Sequence, residues 1–145
     1  MPTVRAFIDP SKLPKRRQVE DVLDALEIVC SEVVPAGMHS PQGPLMPGDI
    51  QFIGGSTGVR LSVSVLVEVA AFNLADRHDT DRRADVIRSA LRMLFPDLSF
   101  AVSVSLSMDG YASDSSGRRR PFGGPMTMDA AVERAREKLA RAGSH

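Results

Sequence analysis

The sequence predicts an α/β domain, α+β in arrangement, with a four-stranded sheet and two helices on one face of that sheet. Two observations lead to this prediction. Two segments carry apolar residues at intervals of three and four, the period of one helix face, and others alternate apolar with polar residues, the period of a strand. These segments follow one another as strand, helix, strand and again strand, helix, strand. Because crossovers between parallel strands are right-handed, two such βαβ units place both helices on the same side.

The first unit begins with a strand over residues 3–9, which ends at the turn Asp9-Pro10-Ser11. A helix is predicted from Pro14 to about Val34, because proline suits a first helical turn and Pro35 ends the pattern. The residues of its apolar face are Val19, Val22, Leu23, Leu26, Val29, Cys30 and Val33.

Residues 35–48 are rich in proline and glycine, which indicates a long loop without a helix or a ladder strand. Loops of this length in compact domains tend to be functional or mobile. A short strand is predicted over residues 50–53, followed by a turn at Gly54-Gly55-Ser56.

The second unit begins with the clean apolar alternation of residues 59–71, which predicts a long, half-buried strand. Thr80 is a candidate N-cap for a second helix, which runs to a stop at Pro96. Alternation over residues 98–108 predicts the last core strand, whose second face is rich in serine. That polar face needs a cover, and we expect oligomerisation to supply it.

The C-terminal part begins with a polar, glycine-rich arm, residues 110–125, without periodicity. Thr127 is positioned to cap a final helix to about Arg141, which we expect to dock at the periphery or on a neighbouring subunit. The sequence thus indicates a double βαβ domain over residues 1–111 and an arm with a helix over residues 112–145. The end of that arm, residues 143–145, resembles an expression tag.

The composition excludes several classes of partner. Eighteen basic and eighteen acidic residues cancel to a net charge of zero, so neither nucleic acid nor an anionic membrane surface is an expected partner. No apolar run reaches the roughly 20 residues of a membrane span. The single cysteine, Cys30, excludes an internal disulfide, and we expect a cytoplasmic protein. No residue spacing indicates a cofactor or a metal site.

Pro2 is the first candidate for a catalytic residue. Removal of Met1 ahead of this small residue leaves a secondary amine at the start of a strand. Burial in an apolar site beside cations lowers the pKa of such an amine towards neutrality, where it acts as a base.

The pattern of Met1-Pro2, strand, turn with a cation, helix and strand, repeated once without the proline, resembles the tautomerase superfamily. Its members include 4-oxalocrotonate tautomerase, 5-carboxymethyl-2-hydroxymuconate isomerase and malonate semialdehyde decarboxylase. In short members, an arginine in the turn after the first strand binds a substrate carboxylate. The corresponding turns here contain Lys12, in Asp9-Pro10-Ser11-Lys12, and Arg77, in the segment 76–81. The resemblance covers residues 2 to about 111.

This resemblance implies a tautomerase, isomerase or decarboxylase that acts on a small keto or enol carboxylic acid without a cofactor, in a homo-oligomer for which a trimer is favoured. Pro2 would move the proton, and Arg77 would hold the substrate carboxylate and stabilise enolate charge. Lys12 stands near the position of the family's first arginine. Arg60 and Arg5, on predicted strands, are second candidates for a cationic role, with solvation or a contact between subunits as the alternative. Tyr111, at the end of the last strand, is a candidate for the rim of a pocket.

The alternative is a protein without enzymatic activity, such as an oligomeric assembly or phage-type structural protein. In that case the long loop and the C-terminal arm make subunit contacts. The two hypotheses differ at the N-terminus, because only the enzyme needs a free Pro2 beside a cation.

Overall fold

The computed structural model of this protein describes residues 2–40, 42–71, 80–106 and 127–143. In chain order the elements are β1 (Thr3–Ile8), α1 (Val19–Val33), β2 (His39–Ser40), β3 (Gly43–Pro44), β4 (Gln51–Ser56), β5 (Val65–Ala71), α2 (Thr80–Leu94), β6 (Phe100–Leu106) and α3 (Met128–Ala142). A single 3-10 turn, Pro10–Lys12, follows β1. The predicted mixture of helices and a four-stranded sheet is confirmed.

The main sheet has the strand order β4-β1-β5-β6. Strand β1 is parallel to β4, and β5 is parallel to β6, so each pair with its crossover helix forms one βαβ unit. The two units meet where β1 pairs with β5 in antiparallel register, with Thr3 opposite Ala70 and Ile8 opposite Val65. The helices α1 and α2 are each 15 residues long, so the two units have similar dimensions.

The core lies on one face of this sheet. Alternate residues of the central strands are buried there, namely Val4, Ala6, Ile8, Val65, Val67, Val69 and Ala71. They belong to one apolar cluster with Leu26 of α1 and Leu91 of α2, so both helices cover the same face, as the crossover rule predicts. The opposite face, called the open face below, contains Arg5, Phe7, Ile53, Leu66 and Glu68, and none of the three described helices packs on it.

Strand β4 approaches α1 closely at Gly54. A Cβ atom at this position would lie 2.7 Å from Cδ2 of Leu23 and 3.0 Å from the ring of Phe52. At its neighbour Gly55, which faces the other way, a Cβ atom would meet nothing within 4 Å. The absence of a side chain at Gly54 therefore lets the helix lie against the edge of the sheet.

The final helix, α3, docks on α1 of the same chain. Thr127 caps it as predicted, accepting a hydrogen bond from the N–H of Ala130. The helix buries Ala131, Val132 and Ala135. The sequence leaves open whether this helix docks at the periphery of its own chain or on a neighbouring subunit. The described residues form the contact within the chain.

Helix α1 begins at Val19, five residues after the predicted start at Pro14. The predicted start was wrong because Pro14 and Arg17 form a separate turn, in which the N–H of Arg17 donates to the carbonyl of Pro14. At the other end, Val34 closes the helix ahead of Pro35, as predicted. Helix α2 begins at Thr80 itself, so Thr80 is its first helical residue.

The glycine pair was also misassigned. Gly54, Gly55 and Ser56 were predicted as a turn, but they continue β4, because pairing with β1 supplies the ladder that weak strand formers do not specify alone. Residues 59–64, predicted as the first half of a strand, precede β5, which begins at Val65. The loop over residues 35–48 contains the small hairpin β2–β3, which the prediction excluded.

Among the described residues, no helix has the length and apolar composition that crossing a membrane requires.

The contrast between the two glycines of β4 is testable. We expect Gly54→Val to lower the free energy of unfolding by about 1–3 kcal/mol, because the added methyl groups overpack the contact with Leu23. Gly55→Val is the matched control on the open face, where it should be neutral or stabilising, because valine favours strands. Urea denaturation of both variants measures the difference, and equal destabilisation would contradict the close approach of α1.

Candidate functional site

The chain directions divide the functional candidates between two ends of the sheet. Strands β1 and β4 begin, and β5 and β6 end, at what is called the Pro2 end. Helix α1 ends there and α2 begins there, because each helix runs back between the parallel strands that it joins. The opposite end, where β1 runs into Asp9, is called the Asp9 end. The seven residue steps from Pro2 to Asp9 correspond to about 23 Å of extended strand.

Pro2 lies buried at the start of β1. Its carbonyl accepts a hydrogen bond from the N–H of Gln51 at 2.8 Å, which ties it to β4. On its other side, one further step of the β1–β5 register sets Pro2 opposite Ala71. Alternation along the strand places its ring on the same face as Val4, which is the apolar, helix-covered face. The nitrogen of Pro2 is therefore close to the core.

The connection from α1 to β4 is folded against the Pro2 end. Gly37 adopts φ +73°, a conformation that favours glycine, and this turn follows directly on the last turn of α1. The N–H of Gly48 donates to the carbonyl of Ser31, and the N–H of Leu45 donates to that of Met38, which is buried. Much of the segment that the sequence predicts as a long loop is thereby held by backbone hydrogen bonds.

Arg83 joins the two βαβ units at this end, and the sequence analysis missed it. From the first turns of α2, its guanidinium donates to the carbonyls of Ala36 at 3.1 Å and Gly37 at 3.4 Å. A cation suits this position, because both carbonyls follow the C-terminus of α1, where the helix carries partial negative charge. The signal was present: Arg83 stands four residues before Ile87 and eight before Leu91, in line with the apolar face.

Lys12 and Arg60 lie at the Asp9 end, and both are exposed. Asp9 organises the backbone between them. Its carboxylate accepts hydrogen bonds from the N–H and hydroxyl of Ser11, at 3.1 and 2.6 Å, and from the N–H of Leu61 at 2.9 Å. These bonds, with that from the Ser11 hydroxyl foremost, lower the pKa of Asp9. Within one chain the structure therefore brings Lys12 and Arg60 towards each other and separates both from Pro2.

Arg77 and Tyr111, the other two predicted substrate-binding residues, lie outside the described residues. The chain leaves the described part at Ala71, the residue opposite Pro2, and returns to it at Thr80, the first residue of α2. Both of these bounding residues are at the Pro2 end.

Cys30 is buried on the apolar face of α1, and burial raises its pKa to about 12. Its thiol therefore stays protonated near neutral pH and is a poor nucleophile. No group of three or more histidine, cysteine, aspartate or glutamate residues that could hold a metal ion occurs within the described ranges.

No model of a known protein family matches this chain, and no curated protein sequence is significantly similar to it. A functional assignment therefore depends on the residues and the fold.

Asp97 holds the second unit to the first at the Asp9 end. The Arg17 guanidinium donates to its carboxylate from Nε at 2.9 Å and Nη2 at 3.0 Å, and lies 5.9 Å from the ring centroid of Phe95. Arg16 adds a bond at 3.3 Å. The hydrogen bond from Arg17 is the main cause that lowers the pKa of Asp97 to about 2.

This pKa predicts a loss of stability in acid. The pKa of Asp97 in the folded protein lies below its unfolded value of 3.8, so its ionised carboxylate contributes to the free energy of unfolding. This contribution is present above about pH 4 and is lost as the pH falls through about 2. We expect wild-type protein to lose about 2 kcal/mol more than Asp97→Asn over this window, measured by urea denaturation. Asp85→Asn is the matched control, since Asp85 is an exposed carboxylate beside Arg88. Identical pH profiles for wild type and Asp97→Asn would contradict the assignment.

Proposed function

We propose that this protein catalyses proton transfer on a small keto or enol carboxylic acid without a cofactor, as a tautomerase, isomerase or decarboxylase. The observation that carries the proposal is the burial of Pro2 on the apolar face of the sheet, between the start of β4 and the end of β5. A proline at this position supplies the amine that the reaction needs.

The amine exists only if Met1 is removed, because in the Met1-Pro2 peptide bond the proline nitrogen is an amide without basicity. Once free, a secondary amine in an apolar site is desolvated, which disfavours its charged form and lowers its pKa. A neutral amine removes a proton alpha to a carbonyl and returns it elsewhere on the dienol. A protonated amine acts instead as an acid and favours decarboxylation.

The architecture supports the same proposal. Two βαβ units with helices of equal length are joined through an antiparallel central pair, and the tautomerase superfamily, which the sequence resembles, implies a double βαβ domain. Pro2 stands at the first strand of the first unit. The corresponding position in the second unit, directly before β5, is occupied by Ser64, whose hydroxyl lies 3.1 Å from the hydroxyl of Ser99. The two ends of the sheet are therefore chemically different.

Arg77 is proposed to bind the substrate carboxylate. It belongs to the segment between Ala71 and Thr80, two residues at the Pro2 end, and its guanidinium matches a carboxylate with two parallel hydrogen bonds. Positive charge there also stabilises an enolate. Tyr111 follows Leu106, where β6 reaches the same end, and is proposed for the rim of the site.

The test begins with the intact mass of protein without a tag at its N-terminus, which reports whether Met1 is absent. We then expect Pro2→Ala and Arg77→Ala each to lower kcat/KM for an enolpyruvate-type acid by about 100-fold or more, because each removes a group that acts in the transition state. Lys12→Ala is the matched control for a cation, since Lys12 lies at the Asp9 end. Retained Met1, or unchanged turnover in both active-site variants, would refute the proposal.

A second candidate is assembly into a homo-oligomer, with a trimer favoured, either as the form of the enzyme or as a structural role in its own right. The open face favours it. Ile53 is 48% exposed there, and Arg5 lies opposite Glu68 in the β1–β5 register. These two residues give the open face charges of both signs, which suits an ionic contact with another copy of the chain. We also propose a cytoplasmic location, since Cys30 is a free thiol.

Light scattering coupled to size-exclusion chromatography tests this assembly. We expect wild-type protein to be an oligomer and Ile53→Glu to dissociate it, because the substitution places a carboxylate in an apolar contact. Met93→Glu is the matched control, since Met93 is 56% exposed on α2, which covers the other face. A monomeric wild type, or dissociation by both variants alike, would exclude the open face as the interface.

A further inference from the structure

The contact between α3 and α1 differs in composition from the rest of the core. The residues that α3 buries are small, namely Ala131, Val132 and Ala135. At the same interface α1 contributes Glu32, whose side chain has no exposed surface. Small side chains exclude less apolar area from water than the leucine, isoleucine and valine residues between the sheet and α1 or α2. The two larger apolar residues of α3 at the core, Met128 and Leu139, are only partly buried, so apolar burial holds α3 more weakly than it holds the other two helices.

Two cations of α3 converge on the buried carboxylate. The Nε of Arg134 donates to Oε2 of Glu32 at 3.1 Å, and the Nζ of Lys138 contacts Oε1. Arg134 and Lys138 are four residues apart, so they lie on the same face of α3. Other charges of α3 pair along the helix itself, as Glu133 does with Arg136. The three residues Glu32, Arg134 and Lys138 are called the Glu32 clamp.

The clamp is reversible, because its two cations stay in contact with solvent. The side chains of Arg134 and Lys138 are 51% and 45% exposed, so counterions reach both cations in the docked state, although the buried carboxylate of Glu32 is shielded from them. When α3 leaves, Glu32 regains its hydration and both cations become fully hydrated. A carboxylate that stays buried after its cations are lost destabilises the folded state. A carboxylate that becomes exposed to water when its cations leave carries no such cost.

We propose that α3 is a latch that opens as a unit while the sheet stays folded, and that ionic strength sets its opening through the Glu32 clamp. Its release uncovers the last turn of α1. That turn lies at the Pro2 end, and the N–H of Gly48 is anchored to it through the carbonyl of Ser31. The latch therefore acts at the same end of the sheet as Pro2, but its existence does not depend on the proposed activity of Pro2.

Hydrogen exchange of the full chain tests the latch. Raising NaCl from about 0.01 M to about 1 M shortens the Debye length from roughly 30 to 3 Å. We expect the amides of α3 to exchange about tenfold faster or more at high salt, while those of β5 do not change. In Glu32→Gln the amides of α3 should exchange fast at both salt concentrations. Glu27→Gln, an exposed carboxylate on the same helix, is the matched control and should behave as wild type.

A further variant separates charge from packing. Glu32→Leu replaces the carboxylate with an apolar side chain, so α3 should stay docked and lose its response to salt. If Glu32→Gln also unfolds the sheet, the double variant Arg134→Gln with Lys138→Gln is measured in its place, because it changes only the half-exposed partners. Protection of α3 equal to that of β5 and indifferent to salt in wild-type protein would overturn the proposal, as would loss of protection in α3 and β5 together in the double variant.

Discussion

The antiparallel pairing of β1 with β5 is the constraint on which the rest of the structure depends. Each βαβ unit alone is a two-stranded parallel sheet with one helix, too small to enclose a core. The register that sets Val4 opposite Val69 and Ala6 opposite Val67 joins the two apolar faces into one surface under α1 and α2. A slip of one residue would turn every side chain of one strand to the wrong face, so alternation fixes this register.

The same pairing determines where function can reside. It places Pro2 beside the end of β5, and it brings the second unit's connection from Ala71 to Thr80 to the end of the sheet where the first unit begins. At the opposite end it brings Asp9 and the Ser64–Ser99 hydroxyl pair together. Hydrogen bonds from other residues of the chain occupy these polar groups, which gives the Asp9 end a structural role. The Pro2 end differs from the Asp9 end, because its candidate group is a buried proline nitrogen.

Periodicity predicted what depends on one element at a time. The alternation over residues 65–71 and the apolar face of α1 gave the strand, the helix and the buried side of each, because burial on one side leaves a repeat that can be read locally. The arrangement of both helices on one face followed from the handedness of the crossovers. Elements whose form depends on a distant partner were missed. Gly54 and Gly55 are strand only because β1 pairs with them, and the turn from Pro14 to Arg17 stands outside α1, with Arg17 bound to the distant Asp97.

The site was predictable to a smaller extent. Sequence reasoning selected Pro2 from its position, and its burial depends on a tertiary arrangement that no local pattern encodes. Arg83 and Glu32 were missed for a shared reason: each is a charged residue whose partners, Gly37 in one case and Lys138 in the other, are far away in the chain. Arg77 and Tyr111 stay predictions.

The central position of β1 in the sheet also affects folding during synthesis. This strand leaves the ribosome before the other strands of the sheet, but its parallel partner begins 48 residues later, at Gln51, and its antiparallel partner ends at Ala71. At a synthesis rate of about 5–20 residues per second, its apolar side chains wait several seconds for any sheet to join. The nascent chain thus contains an unpaired, aggregation-prone strand until most of both units has been made. The residues that complete the core also end the exposure of the apolar side chains of β1.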